Sequence, residues 1–282
     1  MAALAILTKL ISLVCVFLLI NGAEATPIKK LSIDNVPYLG TLRDALKEST
    51  RASSGFLCVA TIIHNRVLVT PAVCIYGQRR QDLVVVVGNT FIRGVSPTMK
   101  VLAIETWRWH ARYRFGEMAY NIGLVFTARD ITPKHGVIAY AAINRSKLIP
   151  HTECLFLGWS RTSVNSKLMM NPPIAFFAWN TFNIDCYKIT STAGVMCSYV
   201  PHMKEFKNKT EDLGNPIICN GKLSGVFLER RGEISTYIDI YSFRKWINGA
   251  IYIHFHSATS PLRSICCRWL FVLAISIFFI FS

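Results

Sequence analysis

Short β-branched runs dominate the hydrophobic pattern of this chain. "CVATII" (58–63), "RVLVT" (66–70), "DLVVVVG" (82–88) and "KLSGVFL" (222–228) are each bounded by turn residues, which is the signature of antiparallel strands. Helical periodicity becomes convincing only late, in "YSFRKWINGAI" (241–251), where Phe243, Trp246, Ile247 and Ala250 share one face. The pattern predicts an all-β domain closed by a C-terminal helix. No internal repeat and no low-complexity linker interrupts it.

Both ends are apolar, and each changes the picture. Lys9 precedes a mainly apolar stretch from Leu10 to Ile20, and the small-residue triplet Ala23-Glu24-Ala25 follows. This predicts a signal peptide over 1–25, because the stretch is too short for a span of about 20 residues. At the other end, "WLFVLAISIFFIFS" (269–282) carries no charge and follows the spacer "SPLRSICCR" and the small residues Ser257, Ala258 and Thr259. Residues 257–282 therefore read as a GPI-attachment signal or a membrane anchor. A spanning helix reaching back to Ile265 would bring Arg268 into hydrocarbon, at about 2.5–3.5 kcal/mol. The region between, 26–256, is long enough for one two-lobed domain with a sizeable core.

An extracellular setting gives the cysteines a meaning. Of the nine, Cys15 leaves with the signal, and Cys266 and Cys267 belong to the tail. Cys58, Cys74, Cys154, Cys186, Cys197 and Cys219 remain, which implies three disulfides among fifteen possible pairings. No Cys-x-x-Cys or His-x-x-x-His spacing points to a metal, and nothing points to a cofactor. The net charge of +15 suggests anionic partners, and its densest stretch is "WRWHARYR" (107–114). Nucleic acid is excluded by the expected location. Asn144-Arg145-Ser146 and Asn208-Lys209-Thr210 are glycosylation sequons.

Five stretches in order resemble the trypsin-like (chymotrypsin-fold) serine proteases. "CVATIIHNRVLVTPAVC" is similar to their Cys-Gly-Gly-Ser-Leu-Ile and Thr-Ala-Ala-His-Cys segment, and "MAYNIGLVFT" to their Asn-Asp-Ile-Ala-Leu stretch. "CLFLGWS" resembles their Gly-Trp-Gly strand, "EDLGNPIICNGKLSGVF" their Gly-Asp-Ser-Gly-Gly-Pro stretch, and "YIDIYSFRKWI" their closing strand and helix. The resemblance spans about Val36 to Ile251. It implies two six-stranded antiparallel β-barrels with a C-terminal helix. It also implies the pairings Cys58–Cys74, Cys154–Cys219 and Cys186–Cys197.

That family transfers acyl groups with a serine, a histidine that takes its proton and an aspartate that orients the histidine. Here the histidine position holds Val73, the aspartate position Asn121 and the serine position Leu213. Valine and leucine offer no nucleophile and no base at any pH. Asp212, Gly214 and Pro216 keep the frame of the motif, but Glu211 stands at the oxyanion-hole glycine, where a carboxylate opposes developing negative charge. The Ser-Trp-Gly strand that pairs with substrate is matched by Leu228, Glu229 and Arg230, and the pocket-floor residue by Lys207. No Ile-Val-Gly-Gly terminus precedes Val36, and none of the seven histidines stands in a triad-like arrangement.

The expected function is that of a non-catalytic homologue, extracellular and surface-anchored. Its partner would be a protein such as a protease or inhibitor, or an anionic surface, with the membrane reached through the tail. An active serine endopeptidase is the alternative, disfavoured by Val73, Asn121 and Leu213.

Overall fold

A computed structural model describes residues 29–50, 55–92, 94–161, 174–186, 192–199 and 213–257. The expected signal, the tail beyond Ser257, and Lys207, Asn208, Glu211 and Asp212 lie outside the described residues. Among the described residues no helix is long and apolar enough to cross a membrane.

A two-residue strand, β1 (Lys29–Lys30), comes first. Six strands then close a barrel: β2 (Leu39–Asp44), β3 (Phe56–His64), β4 (Val67–Pro71), β5 (Leu83–Val87), β6 (Lys100–Trp109) and β7 (Ile122–Thr127). They run in the order β2-β3-β4-β7-β6-β5, and β5 pairs back onto β2. Six more follow: β8 (Glu153–Arg161), β9 (Ile174–Ile184), β10 (Val195–Tyr199), β11 (Pro216–Cys219), β12 (Lys222–Arg231) and β13 (Ile234–Asp239). Their order is β9-β10-β13-β12-β11-β8, with β8 returning to β9 to close the second barrel. β1 pairs outside this ring, with Lys29 opposite Ala178 on β9.

The long apolar runs follow from this packing. Alternate residues of a strand point to opposite faces, and here both faces are covered. Ala60, Ile62, Leu68 and Val125 fill the first barrel. Their neighbours Val59, Val67, Val69 and Leu124 instead join a core shared with Leu157, Val226 and Ile238 of the second barrel. The C-terminal helix seals that shared core. It runs Ile240–His256 (α2 below), and Asp239 caps it by accepting from the Tyr241 N–H at 3.1 Å. Phe243, Ile247 and Ala250 are buried and Trp246 half-buried, as the periodicity predicts. The helix extends five residues beyond the predicted end at Ile251.

A second helix, α1 (Ala45–Thr50), was not legible in the sequence. It brings Glu48 to 3.4 Å from Arg43, whose side chain is fully buried and also donates to the Phe91 carbonyl at 3.0 Å. The three disulfides implied by the resemblance are all present, with Cα–Cα separations of 6.1, 4.2 and 5.2 Å for Cys58–Cys74, Cys154–Cys219 and Cys186–Cys197.

Candidate functional site

Three chain segments meet where the two barrels face each other. β4 runs into a short 3-10 turn, Ala72–Cys74, that carries Val73. The register Pro71 opposite Ile122 sets this turn beside Asn121. Two hydrogen bonds fix it there. The Ala72 N–H donates to the Asn121 carbonyl at 3.1 Å, and the Val73 N–H donates to Asn121 Oδ1 at 3.0 Å. The buried Asn121 side chain therefore caps one otherwise unpaired backbone donor of the turn, the Val73 N–H. That contact needs an oxygen and no charge, so asparagine supplies it as well as aspartate would.

The loop from β11 is anchored with equal care. The Leu213 carbonyl accepts from the Val59 N–H at 2.8 Å, and the Gly214 N–H donates to the Phe227 carbonyl at 3.0 Å. Gly214 sits at φ +93°, and a Cβ there would lie 2.1 Å from the Val59 carbonyl oxygen. Only glycine fits that approach. Pro216 is buried at the start of β11.

The side chains on this frame are apolar. Val73 and Leu213 are half-buried and pack against the first-barrel cluster that holds Cys58, Cys74 and Ile75. Neither can accept or release a proton. Among the described residues no base hydrogen-bonds Asn121, and its Oδ1 is engaged by the Val73 N–H.

The strand matched to substrate binding has also changed. On β12, Arg230 is only 4% exposed. Glu229 pairs with Arg231 at 3.0 Å, and the Glu229 carbonyl accepts from Thr236 Oγ1 at 3.2 Å. Leu228 packs against the inter-barrel core.

Two of the described histidines, His110 and His254, sit among aromatic rings. His110 stacks on Tyr120 at 4.8 Å and meets Phe243 and Trp246 on the C-terminal helix. Its Nδ1 accepts from the Arg112 N–H at 3.2 Å, and burial, reinforced by the Arg112 charge, lowers its pKa. His254 stacks on Phe126 at 4.0 Å and lies 3.7 Å from Glu105. Burial lowers its pKa; Glu105 raises it, while Arg66 and Arg108 lower it. The aromatic residues of "WRWHARYR" are in part packing residues too: Tyr113 is buried, and Trp109 meets Tyr76 edge-on at 5.4 Å. At the first sequon, Asn144 is 7% exposed, and the Nδ2 that would carry a glycan donates to Ser224 Oγ at 3.1 Å. A sugar there would replace one of the two Nδ2 hydrogens, leaving the other to keep the bond to Ser224.

A family model described as Trypsin matches residues 36–247. The chain belongs to the trypsin family. Among solved structures it is similar to neuropsin, a serine protease expressed in the limbic system of mouse brain. The TM-score is 0.63 at 15% identity, over 79% of this chain and 98% of that one. At that identity the likeness speaks for the fold alone. Within the family fold, the frame around Val73, Asn121 and Leu213 is held by backbone hydrogen bonds, and those positions carry two apolar side chains and one uncharged amide.

Proposed function

We propose that this trypsin-family member is non-catalytic and acts as an extracellular, surface-anchored binding or regulatory protein. One observation carries the reading. The positions of base, orienting group and nucleophile hold Val73, Asn121 and Leu213, and the structure uses all three for packing or backbone capping. Loss of a triad leaves at most about 10³–10⁴-fold acceleration over water, from binding and the oxyanion hole. Glu211 at the oxyanion position and the buried Arg230 on the substrate strand oppose even that remainder.

The extracellular placement rests on residues 1–25 and on three disulfides, which persist in oxidising compartments. Surface attachment rests on residues 257–282, read as a GPI-attachment signal. The partner is a protein such as a protease or inhibitor, or an anionic surface. Any glycan is expected at Asn208 or Asn144.

Two measurements test this reading. A serine-directed fluorophosphonate probe should leave the protein unlabelled, and labelling would overturn the non-catalytic assignment. A phosphatidylinositol-specific phospholipase should release the protein from expressing cells. Retention, with residues after Arg268 still detectable, would replace the lipid anchor with a spanning helix.

A further inference from the structure

A groove of about 980 Å³ lies beside α2, and its lining is strongly basic. Arg145 comes from the loop before β8, Lys222 from the start of β12, and Arg244 and Lys245 from α2. His64, at the end of β3, and His256 add two more nitrogen heterocycles. No aspartate or glutamate among the described residues lines it. None of the four lysines and arginines joins an ion pair among the described residues. Arg145, Lys222 and Lys245 are exposed, whereas Arg244 is half-buried, with its guanidinium over the Tyr241 ring at 3.9 Å. Some arginines elsewhere are compensated, Arg43 by Glu48, Arg66 by Glu105 and Arg79 by Asp82. Others, such as Arg114 and Arg129, join no ion pair among the described residues but do not converge on a groove with further cations.

We infer that this groove binds a sulfated polysaccharide. A concave, single-sign lining concentrates the field and the opposite counter-charge. The cations reach this groove from three separate segments of the chain: Arg145, Lys222 and the adjacent Arg244 and Lys245. That suits a polymer with repeating anionic groups better than one phosphate. Tyr252, 64% exposed and stacked on His256 at 4.2 Å, adds an aromatic ring against which the apolar face of a sugar can lie. An acidic peptide fits less well, since an extended chain gains affinity from an open strand edge. The bordering strands have none: β3 pairs with β2 and β4, and β12 with β11 and β13. A flat bilayer fits a concave surface poorly.

The inference deepens the binding reading by naming a partner class. Its failure would leave the absence of catalysis standing, because fluorophosphonate labelling reads that separately. The test uses the full chain in detergent and a heparin-derived octasaccharide as probe, titrated calorimetrically at several salt concentrations. Wild-type affinity should fall steeply as salt rises. The triple variant R145E/K222E/K245E should bind about tenfold or more weakly, while R114E/R129E/K134E, with the same charge change at exposed sites outside the groove, should change affinity by less than about twofold. If R145E/K222E/K245E loses its cooperative melt, the neutral R145Q/K222Q/K245Q reads the same effect. Equal losses in both triples would overturn the site, leaving only net charge. Groove-dependent competition by a poly-glutamate peptide of matched charge would reassign the groove to an acidic protein. Binding to anionic vesicles without binding to the octasaccharide would reassign it to lipid.

Discussion

The inter-barrel cleft and the groove beside α2 are opposites. In the cleft, the positions that would hold charge and nucleophile are filled by Val73 and Leu213, packed on the first-barrel core. Beside α2, Arg145, Lys222, Arg244 and Lys245 face one space with no carboxylate among the described residues that line it. On the proposed non-catalytic reading, the difference teaches where selection for function can reside when a fold is not used for chemistry. Side chains at a cleft without a triad can pack as core, whereas solvated surface charge adds little to stability and stays available for binding. The two regions should therefore respond differently to substitution: the cleft in stability, the groove in binding.

The strongest expected response is at Gly214. Replacing it with alanine puts a Cβ 2.1 Å from the Val59 carbonyl oxygen at a φ of +93°. A loss of about 4 kcal/mol or more, or failure to fold, is expected by chemical denaturation. A wild-type midpoint would mean that the Leu213 loop is not held against β3.

Next come the half-buried side chains at the lost triad. Leu213→Ala and Val73→Ala should each destabilise by about 1–2 kcal/mol, below the range of fully buried sites. No change in either would remove the claim that these positions are now part of the core.

Asn121 separates the roles of oxygen and charge. Asn121→Ala removes the acceptor for the Val73 N–H and should cost about 1 kcal/mol. Asn121→Asp keeps the oxygen and should cost less than Asn121→Ala at a pH low enough to hold the buried carboxyl neutral. A loss for aspartate as large as that for alanine at that pH would show that capping is not what this position requires.

The smallest expected effect is on pH dependence. His110 and His254 both have folded-state pKa values below the ordinary histidine value. The unfolded chain then binds their protons more readily, so stability should decline as pH falls through about 6.5. Melting temperatures across that interval check it, and His110→Phe should flatten the slope. A rise in stability towards acid would contradict the aromatic packing described for these rings.

Much of the fold was legible because strand runs, turn residues and cysteines are local signals. "CVATII" and "RVLVT" became β3 and β4, and the late helical face became α2. Helix α1 was hidden because six residues, ALKEST, carry too little periodicity to stand out, and its stability comes from the Arg43–Glu48 contact instead. The degenerate positions were readable from their neighbours: Cys74 beside Val73, Tyr120 before Asn121, and Gly214 after Leu213. What they do now was not, because the Asn121–Val73 bond joins residues 48 positions apart. The charge was misplaced for a similar reason. "WRWHARYR" is dense along the chain, but the groove draws its cations from separate segments that only the fold brings together.

The central claim is that this fold is retained without its chemistry. The most direct test is hydrolysis of a panel of peptide esters and amides by the wild-type protein and by a triple variant, Val73→His, Asn121→Asp and Leu213→Ser. The prediction is no turnover above buffer by either, since Glu211 and the buried Arg230 leave a restored triad without an oxyanion site or an open substrate strand. Turnover by the wild type would contradict the claim outright, and turnover by the triple variant alone would show that only three side chains had been lost.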